Sequence, residues 1–378
     1  MTKKPDKART RAYLDAELGF RNHWYPAAFS YELQGEDPLP VTMLGEKILL
    51  RRIDDTVFAI EDRCLHRRVV LSAKLECYTR DTVTCWYHGF TYSFRDGMLV
   101  QVLTDPSCPL IGKAKVRTYA VHEVQGVIFL FVGDIDPPEL SEDIAPGFTD
   151  ADMAVAGMRR PIPGNWRLAT ENGFDTTHIY IHRNSSVVTE TDAMLPLGFV
   201  PQDRHAMEII EGPDGPKGVV DKLGLSYAPV FEAPIGDTTV SAVMKPNGIM
   251  VAPEVSCWVP GVLMLKDFPF EGYYIFEWYV PIDTRTHTYF QILGKRVASD
   301  EERREHQDQA QTYWKDVLWR GFNDQDLFAR EWLEEAYTEG EGWSRERLYK
   351  PDMCLVEWRK LASRFNRGIQ PIPGTETR

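Results

Sequence analysis

Residues 171–183 read ENGFDTTHIYIHR. Two acids and two histidines stand at Glu171, Asp175, His178 and His182. On a helix, steps of four, three and four put side chains on one face. Histidines spaced this way are most often satisfied core or surface groups, so any chemistry needs support from elsewhere. The zinc-protease pattern HExxH requires a glutamate directly after the first histidine, and Ile179 stands there. Another chemistry would set two histidines and one carboxylate on one side of a non-haem Fe(II), leaving positions open for O2. It demands a second element that supplies a carboxylate, and a source of electrons.

A second constellation lies upstream, in EDRCLHRRVVLSAKLECYTRDTVTCWYHGFTY, residues 61–92. Cys64 and His66 are separated by one residue, Cys85 and His88 by two. A structural zinc site is the plainer reading of such a quartet. Zinc fingers, however, favour two to four residues between paired ligands and carry their histidines on a helix. Here the flanks KILLRRIDDTVFAIEDR and TVTCWYHGFTYSFRDGMLV alternate like strands, with Asp96-Gly97 at a hairpin turn. Cys-x-His and Cys-x2-His on two β-loops resemble a Rieske [2Fe–2S] site, in which two thiolates hold one iron and two imidazoles the other. The loop Cys64-Leu65-His66-Arg67-Arg68 departs from the usual Cys-Pro-His-Arg-Gly at its tip, while the four ligands are intact. Cys77 stands apart from both pairs. Arg67 and Arg68 are either simply solvated or turned toward an acidic ferredoxin.

Together, the quartet, the stretch NWRLATENGFDTTHIYIH and a late acidic helix resemble, over nearly the whole length, the terminal oxygenases of the Rieske non-haem iron family. The three-residue gap between His178 and His182 looks closest to the carbazole 1,9a-dioxygenases, with 2-oxoquinoline monooxygenases nearby. The resemblance implies that Cys64, His66, Cys85 and His88 hold the cluster and that His178 and His182 bind mononuclear Fe(II). It implies that Asp175 accepts the His178 ring N–H and bridges to His88 of a neighbouring subunit. For the third ligand, Asp324 and Asp326 compete within WRGFNDQDLFAREWLEEAY. Asp326 is preferred. Glu331 follows it by five residues, as in the family, and Phe322 would share its face, whereas Asp324 would point about 160° away.

The elements that position these residues are read as follows. Residues 1–40 form an N-terminal segment packing on the catalytic domain, 41–155 an all-β Rieske domain, and 156–378 the catalytic domain. TTVSAVM and YYIFEWYVPIDTRTHTYFQILGK read as strands of an antiparallel sheet, and helices at 299–336 and 351–367 cover it. The class is α+β. An apolar pocket suits an aromatic substrate, with Gly173, Ile179, Leu195, Phe199, Leu263, Phe268 and Phe322 as candidate walls. The carbonyl at Gly173 is a candidate acceptor for a ring N–H.

Bulk properties narrow the classes further. The chain has 378 residues, 43% hydrophobic and 26% charged, with a net charge of −13 that argues against nucleic acid. No apolar run approaches the roughly 20 residues of a membrane span. MTKKPDKARTRAYLDAELGF lacks a secretory h-region. Six cysteines are too few for a disulfide scaffold and fit a reduced, cytoplasmic chain. The resemblance further implies a homotrimer fed by a ferredoxin and an NAD(P)H reductase, performing angular dioxygenation of carbazole-like rings. The alternatives are a monooxygenase of a heteroaromatic such as 2-oxoquinoline and, in another class, a pure electron-transfer Rieske protein.

Overall fold

The computed structural model describes residues 8–373 apart from 36, 196–206, 214, 223–229, 244–247 and 252. The chain divides into two compact units, residues 21–138 with 371–378, and residues 1–20 with 139–370.

The first unit is built from three small antiparallel sheets. Strands Leu39–Met43, Glu46–Ile53 and Thr56–Glu61 form one, and Thr82–Thr84, Phe90–Ser93 and Leu99–Val102 form another. The third joins His23–Phe29 to Val127–Val132 and then Val121–Val124. That pairing draws residues 21–40 into this unit, earlier than the boundary at 41 read from the sequence. The Val127–Val132 strand is buried along its whole length.

The second unit centres on a seven-stranded antiparallel sheet. Its order runs Met153–Pro163, Thr286–Arg296, Tyr273–Asp283, Val262–Lys266, Glu254–Trp258, Gly218–Asp221, Met207–Ile210. YYIFEWYVPIDTRTHTYFQILGK forms its two longest strands. TTVSAVM instead contributes to a separate hairpin, Val230–Ile235 with Thr238–Val243. Residues 139–155, read as linker and Rieske domain, belong here. Phe148 packs edge-on against Phe276 and Trp278, with ring centroids 5.1 and 5.3 Å away. Such contacts bury large apolar area and tie the segment to the sheet.

Two apolar cores flank the sheet. One gathers Tyr13, Phe20, Trp166, Phe174, Leu263, Tyr279 and Trp358. The other gathers Val187, Phe268, Ile275, Leu293, Trp314, Trp319 and Phe322. The late helices are interrupted. Asp300–Gln309 is α-helical, Ala310–Arg320 is π-helical, residues 321–323 turn, and Asp324–Thr338 resumes the α-helix. The wide winding persists into the turn, where the N–H groups of Gly321 and Asn323 donate five residues back, to Asp316 and Leu318. A side chain at Gly321 would run into Ser186. Among the described residues, no helix is long and apolar enough to cross a membrane.

Candidate active site

In the first unit, Cys64 and Cys85 sit on two loops of matching shape. Each cysteine N–H bonds a carbonyl five residues on, Cys64 to Val69 at 2.9 Å and Cys85 to Phe90 at 2.7 Å. Each carbonyl accepts from the residue four on, Arg68 and Gly89, both at 2.9 Å. Both closing residues have positive φ, 58° at Arg68 and 74° at Gly89. Gly89 has no room for a side chain, since a Cβ would meet Leu103 Cβ at 2.8 Å. Arg68 tolerates the unfavourable φ with its guanidinium paired to Glu61.

The cysteine side chains are buried, and burial raises the Cys85 thiol while the backbone N–H groups of Tyr87 and His88 oppose it. The Tyr92 hydroxyl accepts from Leu65 N–H at 3.0 Å and lies 3.2 Å from Cys64 Sγ, a partner the sequence reading missed. The Nδ1 atoms of His66 and His88 face each other at 3.1 Å, and the His66 ring stacks on Phe90. Two adjacent inward-facing imidazole nitrogens above two buried sulfurs suit a cluster with unlike irons.

In the second unit, the stretch 171–183 is not one continuous helix. An α-helix spans Trp166–Phe174, and Asp175 breaks it with extended backbone (ψ 103°). A 3-10 helix then runs from Thr176 to Asn184. The break removes Glu171 from the histidine face. Its carboxylate takes a two-pronged bond from Arg359 at 2.8 and 2.6 Å. The Asp175 carboxylate caps the new helix through Thr177 N–H at 2.9 Å and Thr177 Oγ1 at 2.7 Å. The His178 ring nitrogen Nδ1 contacts the main-chain carbonyl of Asp175, not its carboxylate as expected.

His178, His182 and Asp326 offer one ligand atom each within 4.8 Å of one another. Asp326 Oδ1 lies 3.4 Å from His178 Nε2 and 3.3 Å from His182 Nε2. An octahedral ion with bonds of about 2.1 Å at right angles spaces its ligands about 3 Å apart. The His182 Nε2 atom is buried without a hydrogen-bond partner, and its Nδ1 is oriented by Gln325 Oε1 at 3.0 Å. A fixed imidazole with an orphaned inner nitrogen fits a metal-bound tautomer. Burial alone would raise the Asp326 carboxyl, but His182, His178 and Arg330 hold it well below the usual range. Two imidazoles and a carboxylate on one side match the donor set of mononuclear Fe(II).

Asp324 is drawn away by Arg160 and leaves Asp326 as the inward acid. Phe322 reaches the site from the turn before the Asp324–Thr338 helix and not from a shared helical face.

The pocket beside the triad is lined by Gly173, Ile179, Leu263, Phe268 and Phe322, as expected, together with His178 and Asp326. Leu195 is not among its walls, because it is fully buried in the core with Val187 and Trp314. Phe199 lies outside the described residues. Sequence reasoning missed Thr176, Pro253, Val255, Leu265, Ile275, Glu277 and Asn323. A lone acid inside YYIFEWYV was the available signal for Glu277, whose carboxylate accepts from Tyr279, Tyr289 and Asn323. Nothing in the local pattern marked Asn323. Gly173 is required by space, since a Cβ there would meet Leu263 Cδ2 and the Tyr279 hydroxyl at 2.6 Å.

Residues 131–370 match the homotrimeric ring hydroxylase family, and residues 23–120 match the Rieske [2Fe-2S] domain. The chain is 47% identical over 361 residues to the terminal oxygenase component of carbazole 1,9a-dioxygenase from Metapseudomonas resinovorans, covering 95% of this chain and 94% of that one. It resembles the solved terminal oxygenase of carbazole 1,9a-dioxygenase from Novosphingobium sp. KA1 at 48% identity and TM-score 0.92, covering 97% and 99% of the two chains. A carbazole-bound, singly substituted oxygenase in a ferredoxin complex of carbazole 1,9a-dioxygenase aligns at 43% identity and TM-score 0.91, covering 100% and 99%.

Proposed function

The chain belongs to the homotrimeric ring hydroxylases that carry a Rieske [2Fe-2S] domain, and on that footing we propose that it is the terminal oxygenase of a carbazole 1,9a-dioxygenase system. One observation carries the reading: the triad of His178, His182 and Asp326 stands in the wall of an apolar pocket. When bound, the cluster stores single electrons and the mononuclear iron activates O2. His178, His182 and Asp326 would hold that iron, and Cys64, His66, Cys85 and His88 the cluster.

The remaining work falls to the chain's own groups. Gln325 and the Asp175 carbonyl fix the two imidazole rings. Ile179, Leu263, Phe268 and Phe322 exclude water and hold a flat tricyclic ring by burial, at roughly 25 cal/mol per Å² of apolar area. The Gly173 carbonyl, in the last turn of its helix where carbonyls lack intrahelical partners, accepts the ring N–H and sets the angular carbon beside the triad. Asp175 bridges toward His88 of the neighbouring subunit in the trimer, which draws electrons from a ferredoxin and, behind it, an NAD(P)H reductase. Both oxygen atoms enter adjacent carbons, one of them bonded to nitrogen, and the hemiaminal opens to 2′-aminobiphenyl-2,3-diol. We assign the protein to the cytoplasm, a reading that its free cysteines support.

The test supplies purified protein with ferredoxin, reductase, NADH, O2 and carbazole. Formation of 2′-aminobiphenyl-2,3-diol is expected. Single hydroxylation of 2-oxoquinoline with no product from carbazole would replace the reading by a monooxygenase.

A further inference from the structure

Asn323 lines the pocket with its donor end occupied and its acceptor end without a partner. Its Nδ2 donates to Glu277 Oε1 at 2.5 Å and to the Tyr289 hydroxyl oxygen at 2.8 Å. The amide is locked in this sense. A carboxylate only accepts, and the Tyr289 hydroxyl has given its hydrogen to Glu277. Tyr279 donates to the other carboxylate oxygen at 2.5 Å. Arg330 stacks over both tyrosine rings, 5.0 and 4.6 Å from their centroids, and supplies the balancing charge. Two acceptors therefore face the amide nitrogen, and turning the amide over would set oxygen against oxygen.

The consequence falls on Asn323 Oδ1. It is buried with no hydrogen-bond partner, on a side chain only 3% exposed. Buried acceptors left this way are costly and rare. A water can serve one between turnovers if the site is polar and roomy enough. Asn323 lies three residues before Asp326 in the same pocket wall. In the reading above, the ring N–H is already taken at Gly173. The groups that the reaction creates are hydroxyls on the ring carbons beside the triad, and these are donors.

The geometry points to Asn323 Oδ1 as the hydrogen-bond acceptor for a hydroxyl group of the oxygenated ring, with Glu277 as the positioning residue that fixes the amide. This rests on the ring-dioxygenase reading and adds the residue that recognises its product side. An acceptor that unreacted hydrocarbon edges cannot satisfy contributes only as the new C–O bonds form, which is where binding lowers a barrier.

The experiment measures anaerobic binding to the intact trimeric holoenzyme by quenching of tryptophan fluorescence, with three probes. Biphenyl has no donor, 2,3-dihydroxybiphenyl has two hydroxyl donors on the same skeleton, and carbazole has the ring N–H alone. Asn323→Leu should weaken 2,3-dihydroxybiphenyl about five- to tenfold and leave biphenyl and carbazole within about twofold. Glu277→Gln keeps the carboxamide shape but lets the Asn323 amide turn over. It should lose part of the same preference for the diol, again without affecting biphenyl. Equal loss for biphenyl and the diol would make Asn323 a mere wall and overturn the assignment. Loss confined to carbazole would overturn it too, by moving the ring N–H from Gly173 to Asn323. Wild-type enzyme that binds none of the three would overturn the substrate class and this inference together. Wild-type binding with indifferent variants would overturn the acceptor alone.

Discussion

The ring of Phe322 lies flat on the ring of His182, with centroids 3.8 Å apart and planes 14° from parallel. His182 is therefore held from two directions, by this face and by Gln325 at its Nδ1. Phe322→Leu keeps most of the volume and removes the stacking. It should cost about 1 kcal/mol of stability and lower the iron retained after dialysis against a chelator. Thermal unfolding and iron per chain check this. Full retention of the mononuclear iron would mean that Gln325 alone orients the ring.

Asp326→Ala should empty the mononuclear site while the visible spectrum of the Rieske cluster stays intact, because the two ligand sets belong to separate units. Asp324→Ala should keep its iron. It loses the pairing with Arg160, which is about one-third exposed on the acid side, and should cost less than about 1 kcal/mol. Elemental analysis of the two proteins decides, and the reverse pattern would transfer the ligand role to Asp324.

Gly173→Ala introduces a methyl group where Leu263 and the Tyr279 hydroxyl already stand at 2.6 Å. Displacing them strains the pocket wall and the Tyr279–Glu277 hydrogen bond. A loss of about 1–3 kcal/mol in stability is expected, with a rise in KM for carbazole larger than the fall in kcat. Unaltered KM would remove Gly173 from the substrate wall.

Asp352 has a carboxyl pushed up to about 6, first by burial and then by Asp175 and Glu346, against the Tyr349 N–H and Arg359. An acid raised on folding binds its proton more tightly in the native state. Stability should then fall as pH rises from about 4 to about 6, and stay at the lower level above that. Asp352→Asn should flatten this part of the profile and unfold at a higher temperature than wild type at pH 8. Parallel profiles for the two proteins across pH 4 to 8 would show that the folded-state shift is absent.

Much of this molecule can be read from its string of letters, for identifiable reasons. Cysteine and histidine are scarce, so Cys64-x-His66 and Cys85-x2-His88 stand out against their alternating flanks. His178, His182 and Asp326, which the fold brings within 4.8 Å, were singled out by spacing and by residue type. The break at Asp175 was hidden because steps of three and four suit one uninterrupted helix, whereas Asp175 accepts the Thr177 N–H and starts a tighter winding instead. Leu195 and Ile275 are both apolar residues among apolar neighbours. Only the folded sheet separates a core position from a pocket wall. Asn323 was invisible for another reason: its importance lies in partners on two distant strands, Glu277 and Tyr289.

The π-helical stretch Ala310–Arg320 makes this site intolerant of changes in chain length. It is bounded by a turn whose Gly321 fits against Ser186, and Phe322, Asn323 and Asp326 follow in succession. Each α-helical residue advances the azimuth by about 100°. Deleting one residue from the wide segment would relax it toward ordinary α winding, leave every other helix and strand in place, and swing the carboxylate, the amide and the aromatic ring out of phase with the histidines. Along this stretch, variants that differ by substitution can be accommodated, but those that differ by a single insertion or deletion should fold and yet be inactive.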